Sequence, residues 1–394
     1  MKEYIVKDLL TIKNGRDHKQ LEDGKFPVYG SGGIIRYVNS YLYDKPSILL
    51  PRKGSLDNIQ YCEEPFWCVD TTYYSEINTS IANPYYLYRY LNLLNLKGLD
   101  SGTALPSMTF ESYYQIKVFL PDIETQNKRA DFLYKIDQKI ALNSRMNAEL
   151  EAMAKQLYDY WFVQFDFPNE NGKPYKSSGG KMVYNPTLKR EIPEGWEVRN
   201  LNQMADSFRG VSYNKEDMVS KSEKSILVLR GNNIPCSGQF TYDSNVAYIP
   251  KNLISEEQKI NKGDIIITMS SGSKEHIGKC FMFQRDSDHT YGAFLSKFVP
   301  HKKYSHFVYL CMLSDFFKSF VKTTCNGTGI NNLTSDTFHN VYFPLPDGEI
   351  LSEFERLTGS IYNQVGLCQK QTFDLTQLRD YLLPMLMNGQ VTVE

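Results

Sequence analysis

Two kinds of apolar pattern alternate along the chain. From Glu124 to Phe162, Leu133, Ile136, Ile140, Asn143, Asn147, Leu150, Ala154, Leu157 and Trp161 recur in alternating steps of three and four. That spacing keeps a narrow stripe on one side of a helix, the geometry of a coiled-coil seam. No Pro or Gly interrupts these 39 residues, so the predicted helix is about 58 Å long at 1.5 Å per residue. A second run extends from about Glu349 to Asn388, with Leu357, Ile361, Val365, Cys368, Leu375, Leu378, Leu382 and Leu386 on its stripe. Gly359, Gly366 and Pro384 weaken it, and Pro384 is expected to kink its last turn. Asn143, Asn147 and Thr372 interrupt the seams near their middles, as residues that fix register do, although a solvated gap explains them as well. Upstream of each helix the pattern shortens. Pro46-Ser47-Ile48-Leu49-Leu50 and Gly263-Asp264-Ile265-Ile266-Ile267 both read as a turn feeding a buried strand.

Sliding the chain along itself by 225 residues shows that these patterns are two copies of one unit. Gly102-Thr103 falls on Gly327-Thr328, Met108-Thr109 on Leu333-Thr334, and Leu120-Pro121 on Leu345-Pro346. Without a gap the register continues through Ile136 and Ile361, Ile140 and Val365, Leu142 and Leu367, Leu150 and Leu375, and Leu157 and Leu382. Two unrelated amphipathic helices would not share the turn and strand that precede them. Further upstream the offset drifts to 217 and then 200, so the early part of each unit has varied in length while the part entering the helix has not.

Between the copies, Val163–Pro193 holds four prolines and three glycines with no apolar period, and it reads as an extended connector. The predicted organisation is a domain over residues 1–121, a helix over 122–162, the connector at 163–193, a second domain over 194–346, and a second helix with its tail over 347–394. The fold class is α+β: two tandem α/β domains joined by two long helices in an antiparallel coiled coil, with pseudo-two-fold symmetry.

Composition narrows the function. The net charge is −1, which argues against indiscriminate coating of nucleic acid, since that binding depends on Lys and Arg. Residues 163–193 and 194–346 each sum to +2, whereas 347–394 sum to −4, which leaves room for a site-selective DNA binder. The seven cysteines are scattered and read as reduced thiols, with no zinc spacing around Cys62 and Cys68. No apolar run reaches membrane length, and the opening MKEYIVKDLL lacks the apolar centre of a signal peptide, so a cytoplasmic location is expected.

Catalytic motifs are approached but not met. Gly272 to Cys280 resembles a phosphate loop with one residue too many between the glycines and Cys where Ser or Thr belongs; it reads as a hairpin loop. Tyr29-Gly-Ser-Gly-Gly33 lacks the third glycine of a dinucleotide fingerprint and reads as a turn. Asn83-Pro84-Tyr85-Tyr86 lacks the second proline of an adenine methyltransferase tetrapeptide and reads as a helix start. Pro121-Asp122 with Asp137-Gln-Lys139 mimics a nuclease pattern, but its second part lies on the seam helix. No histidine has a metal-like partner spacing, so neither metal nor catalytic residues are expected.

The run from Tyr158-Asp-Tyr-Trp161-Phe162 to Phe167-Pro168, continued by Glu191-Ile-Pro-Glu-Gly195-Trp196, is similar to the central region of the specificity (S) subunits of type I restriction–modification systems. The Ser/Asn-Gly-Thr turns at 101–103 and 326–328, each leading to Leu-Pro, resemble that family's boundary between recognition domain and helix. The resemblance spans essentially the whole chain. It implies a non-catalytic subunit in which each domain reads one half of a split, asymmetric site on double-stranded DNA. The helices would fix the unread gap and dock two modification subunits that methylate adenine. Restriction subunits would translocate and cleave, so S-adenosylmethionine, ATP and magnesium belong to partners rather than to this chain.

Base contacts need polar side chains on loops that reach the grooves. The candidates are Ser31, Arg36, Arg52, Lys53, Ser55 and Thr103 in the first unit, and Arg230, Asn232, Asn233, Ser270, Ser271, Lys274, Thr328 and Asn331 in the second. For helix pairing and partner docking they are Ile136, Ile140, Leu150, Leu157, Ile361, Val365, Leu375 and Leu382. Trp161 and Trp196 are expected to be packing anchors. The competing readings are a solitary methyltransferase, a protein scaffold indifferent to DNA, and a specificity subunit of another restriction type.

Overall fold

A computed structural model describes residues 1–54, 56–94, 96, 107–235, 246–272, 275–325 and 331–393. The chain divides into two compact units. Residues 1–140 with 374–394 form one, and residues 141–373 the other.

The first unit runs β1 (Lys2–Ile5), α1 (Val6–Leu9), β2 (Leu10–Asn14), β3 (Asp23–Gly30), β4 (Gly33–Val38), β5 (Ser47–Pro51), β6 (Gln60–Cys62), β7 (Trp67–Cys68), β8 (Thr72–Ile77), α2 (Pro84–Leu93), α3 (Phe110–Tyr114) and β9 (Lys117–Leu120). The long helix α4 follows at Ile123–Tyr158. One sheet has the order β2-β8-β5-β6, a second the order β4-β3-β7, and β1 pairs with β9. All five residues of β5 are buried, which explains why its sequence is apolar without alternation. Its one polar member, Ser47, is matched by Ser75 across the sheet: the Ser47 hydroxyl donates to the Ser75 carbonyl at 2.8 Å.

In the second unit a π-helical turn, Asp159–Val163, leads to the hairpin β10 (Met182–Asn185) and β11 (Arg190–Pro193). Then come β12 (Glu197–Asn200), β13 (Ala205–Arg209), β14 (Ser225–Leu229), β15 (Ala247–Pro250), β16 (Ile265–Thr268), β17 (Ser270–Ser271), β18 (Cys280–Met282), β19 (His289–Tyr291) and β20 (Leu295–Pro300). The unit closes with α5 (Ser305–Leu313), α6 (Asp315–Thr324), β21 (Asn331–Asn332), β22 (Tyr342–Leu345) and α7, which spans Gly348–Met387. Its sheets are ordered β13-β20-β16-β18 and β15-β14-β19, with β12 on β22. This is the first unit's topology repeated, down to one parallel pair in each: Val28 opposite Trp67, and Leu227 opposite His289. Gly15 and Gly210 serve the same purpose in the two copies. A side chain at either would stand 2.1 Å from a backbone oxygen, of Val69 and Gly292 respectively.

The repeat also governs how the long helices begin. Asp122 accepts a hydrogen bond from Thr125 N at 2.9 Å, and Asp347, 225 residues later, accepts from Ile350 N at 3.0 Å. Each long helix then grips the start of the short helix of its own unit. Gln126 Oε1 accepts from Asn83 N at 2.9 Å, while Glu355 accepts from His306 N and Phe307 N at 3.1 and 2.8 Å.

Helix pairing is antiparallel within each unit. In the first, Arg129 Nη1 donates to the Leu386 carbonyl at 2.5 Å and Arg379 Nη1 to Asp137 at 2.9 Å. In the second, Asn143 Nδ2 donates to Gln371 Oε1 and Thr372 Oγ1 at 3.0 and 3.3 Å, and Trp161 lies against Phe354 with ring centres 5.7 Å apart. Every expected seam residue of α4 is buried or half-buried. On the expected α7 stripe, Val365, Cys368, Thr372 and Leu386 are buried and Leu357, Ile361, Leu375 and Leu382 half-buried, whereas Leu378 is exposed. Phe354, Thr358 and Tyr362 are buried as well, outside that stripe. The helix also continues through Pro384 to Met387.

Asn147 is fully buried, and neither its amide nitrogen nor its oxygen has a hydrogen-bond partner. An unmet buried amide costs about 1–3 kcal/mol. Asn147→Leu is therefore expected to raise the thermal unfolding midpoint, as read by circular dichroism.

The segment expected to be an extended connector is folded. Phe165, Phe167, Ile192 and Trp196 are buried in the core of the second unit. Phe167 stacks between Tyr175 and Trp196 at 4.6 and 5.0 Å. Asp166 accepts from Ser177 N and its hydroxyl at 2.7 and 2.6 Å. Prolines and glycines here shape tight turns instead of a spacer. The packing role expected of Trp161 and Trp196 is seen in their rings, which lie among Phe162, Phe354, Phe165 and Phe167.

Candidate nucleic-acid interface

In both units one central strand delivers its end to the surface against a returning segment. After β5, Arg52 N and Lys53 N donate to the Thr71 carbonyl at 2.9 and 3.3 Å, and the Arg52 carbonyl accepts from Met108 N at 3.0 Å. After β16, Met269 N and Ser270 N donate to the Phe294 carbonyl at 2.9 and 3.2 Å, and the Met269 carbonyl accepts from Leu333 N at 2.8 Å. Lys53 bridges to Ser107 in the first unit, and Ser270 and Ser271 pair with Asn332 and Asn331 in the second. The backbone is thus the same while its side chains are not, with Arg52-Lys53 in one copy and Met269-Ser270 in the other. A fixed frame carrying variable polar groups is what two readers of different sequences need.

In the first unit the hairpin turn between β3 and β4 comes to this place. The Asn58 amide donates to the Ser31 carbonyl at 2.7 Å and the Gln60 amide to the Gly30 carbonyl at 2.8 Å. A side chain at Gly54 would come within 3.1 Å of Ser31 Oγ, and the φ of +89° there suits glycine. Ser31, Arg52 and Lys53 therefore converge. The Arg52 guanidinium lies 5.9 Å from the centre of the Tyr73 ring and 3.4 Å from the Asp70 carbonyl, with Lys53 exposed beside it. Arg36 stands apart, since its guanidinium is turned onto the Leu21 carbonyl and serves the sheet. Ser55 and Thr103 lie outside the described residues.

In the second unit Ser270, Ser271 and Asn331 share one short ladder. Asn232 is exposed, but Asn233 is buried and its side chain accepts from Arg230 N at 2.9 Å, while Arg230 Nε donates to the Tyr213 hydroxyl at 3.1 Å. Asn233 is thus a turn cap, which corrects its reading as a surface contact. Lys274 and Thr328 lie outside the described residues. Asn58 and Gln60, which hold the first hairpin turn, and Phe294, 68% exposed beside Ser270, carry no sequence signal and were not anticipated.

Burial pushes the Cys68 and Cys280 thiols up to about 12, so both are protonated at neutral pH. Asn83 is the cap of α2, accepting from Tyr86 N at 2.9 Å. Ser31 and Gly32 are a hairpin turn between β3 and β4. Among the described residues there is no group of His, Cys, Asp and Glu that could hold a metal, and no helix long and apolar enough to cross a membrane.

The family model for the type I restriction modification DNA specificity domain matches residues 1–152 and 193–366. The chain belongs to that family. Among relatives, the MjaIX specificity subunit of Methanocaldococcus jannaschii is 26% identical over 79% of this chain and 69% of its own length. The EcoKI specificity subunit of Escherichia coli is 29% identical over 51% of this chain and 44% of its own. The fold matches the crystal structure of a type I S subunit from M. genitalium with a TM-score of 0.60 at 14% identity, covering 98% of this chain and 95% of that one. The methyltransferase motif that stops one proline short, and the nuclease pattern that falls on α4, agree with membership in a family of specificity subunits.

Proposed function

We propose that residues 1–121 and 194–346 are two recognition domains, each reading one half of a split, asymmetric DNA site through the surface where β5 or β16 ends. The observation that carries this reading is the repeated backbone frame at Arg52-Lys53 and Met269-Ser270, with different side chains on it. Ser31, Arg52 and Lys53 are the contacts of the first half-site, and Ser270, Ser271 and Asn331 those of the second. Residues 122–162 and 347–394 set the gap and dock two modification subunits, and 163–193 tie the second domain to α4. The methyl donor, ATP and magnesium act in those partners and in restriction subunits, in the cytoplasm.

Exchanging residues 194–346 for the corresponding domain of a relative is expected to change one half-site only, read by genome-wide mapping of methylated adenines. A change in both halves would contradict the modular reading, and methylation with no site preference would favour a scaffold indifferent to DNA.

The docking surface differs from the seam. Ile136 and Val365 are buried, and Leu150, Leu157 and Ile361 pack against the core of the second unit, so they are committed to folding. Ile140, Leu375 and Leu382 are half-buried. Two apolar pairs that the 225-residue register aligns are exposed instead: Leu142 and Leu367 at 44% and 62%, and Met153 and Leu378 at 56% and 44%. Two identical partners require one surface presented twice. Replacing Leu142 and Leu367 together by Asp is expected to abolish co-purification with the modification subunit while leaving the unfolding midpoint of the isolated chain unchanged.

A further inference from the structure

Three elements of the first unit meet at one carboxylate. Asp137 on α4 accepts from the Tyr85 hydroxyl and the Arg89 guanidinium of α2, and from Arg379 Nη1 of α7 at 2.9 Å. The Asp137, Arg89 and Arg379 side chains are 19%, 14% and 21% exposed, so water screens them only in part. Arg89 also lies over the Tyr85 and Tyr88 rings at 5.3 and 5.1 Å, and Arg379 is balanced by Asp380 at 2.8 Å. The second unit joins its long helix α7 to α5 differently, through Glu355 and His306 at 2.8 Å. The position 225 residues after Asp137 is Tyr362, which stacks on His306 with ring centres 5.2 Å apart.

Gln126 and Asn127 tie α4 to the start of α2, and the Tyr134 ring meets that of Tyr85 at 5.1 Å. Ala130 and Leu133 share an apolar core with α2. Asp137 adds an ionic tie further along α4, 11 residues beyond Gln126 and about 16 Å away at 1.5 Å per residue, and a restraint at the end of that lever resists rotation most. Tyr85, Tyr86, Leu87 and Leu91 of α2 are buried in the same core as Ile48 and Leu50 of β5, so the angle of α2 is the angle of the strand that delivers Arg52.

We infer that Asp137, with Arg89 and Arg379, is the positioning set that holds the first recognition domain at a fixed angle on its long helices and so restricts which gap between half-sites is accepted. The inference rests on the reading of the chain as two DNA readers.

The test uses the full complex with its modification partner, on duplexes that keep both half-sites and vary the gap by one base pair either way. Asp137→Asn is expected to lower the preference for the native gap about tenfold while leaving the base preference inside each half-site intact. Arg379→Gln acts in the same direction, Arg379→Lys restores most of the preference, and the double variant is no worse than Asp137→Asn alone because the two groups act as one unit. Undiminished gap preference in both Asp137→Asn and Arg379→Gln would overturn the inference. So would loss of base preference in the first half-site alongside the gap effect, since that marks general damage. If the unaltered complex shows no preference for site or gap, the two-reader reading itself fails, and the inference fails with it.

Discussion

Phe354→Ala is expected to destabilise the second unit by about 3–5 kcal/mol. Phe354 is fully buried on α7, with its ring centre 4.7 Å from that of Phe162, 5.7 Å from Trp161, 6.4 Å from Phe307 and 6.5 Å from Tyr158. These rings come from the end of α4, the π-helical turn and the short helix α5. Removing the one at their centre empties a site that its neighbours cannot close without moving two helices, and the cost of such a substitution grows with the cavity left behind. Edge-to-face geometry adds to the loss, because Phe162 meets Phe354 at an interplanar angle of 82°. Urea denaturation followed by tryptophan fluorescence reports on this place directly, since Trp161 and Trp196 both lie in that core. Leu378→Ala on the same helix is the control: its side chain is 44% exposed, and substitutions at such surface positions stay within about 0.5 kcal/mol. A midpoint for Phe354→Ala close to that of Leu378→Ala would show that the aromatic cluster does not hold α7 to α5.

The same helix shows what the sequence made legible and what it did not. The α4 seam could be read because the residues from Leu133 to Trp161 that keep steps of three and four are all buried or half-buried. The first half of α7 packs in two directions. Leu357 and Ile361 turn towards the α4 side, where Leu157 lies, Tyr362 is buried against His306 and Tyr309 of α5, and Phe354 lies between Phe162 and Phe307. A helix covered on two sides has a broad stripe, and a search for a narrow one takes only part of it. Gly359 belongs to this second contact: a side chain there would stand 3.5 Å from the His306 ring. Its glycine reads in sequence as a weakness of the helix, but it lies where α5 comes close.

At the candidate interface the division is similar. The repeat located β5 and β16 because buried strands keep their apolar character when a chain duplicates. It pointed to Arg52, Lys53, Ser270 and Ser271 because they follow those strands immediately. Asn58 and Gln60 were not legible, since their function is to hold a hairpin turn 27 to 30 residues away by single side-chain hydrogen bonds. No local pattern records a contact of that range. The folded connector was missed for a related reason: Pro and Gly mark a change of direction, and only the partners Phe165, Phe167 and Trp196 decide whether the turns collapse onto a core.

The second recognition domain contains a buried charge whose removal has an effect as large as that of Phe354, by a different route. Lys297 on β20 and Asp264 at the entry to β16 are 4% and 5% exposed, with Nζ 3.1 Å from the carboxylate. Lys297 also donates to the Lys259 carbonyl at 2.7 Å, and Asp264 accepts from Asn261 N at 2.8 Å. Lys297→Met leaves that carboxylate buried without its cation, an arrangement that costs about 3–5 kcal/mol. Combining it with Asp264→Asn removes the second charge and keeps an oxygen for Asn261 N, so most of the stability should return. A buried pair replaced as a pair is often close to neutral. Thermal unfolding of the single and double variants separates the two effects. Because β16 also presents Met269 and Ser270, the single variant should lose discrimination in the second half-site while the first stays intact. Equal destabilisation by the single and the double variant would show that the other contacts of the ammonium, with the Lys259 carbonyl and over the Phe208 ring, matter more than its pairing with Asp264.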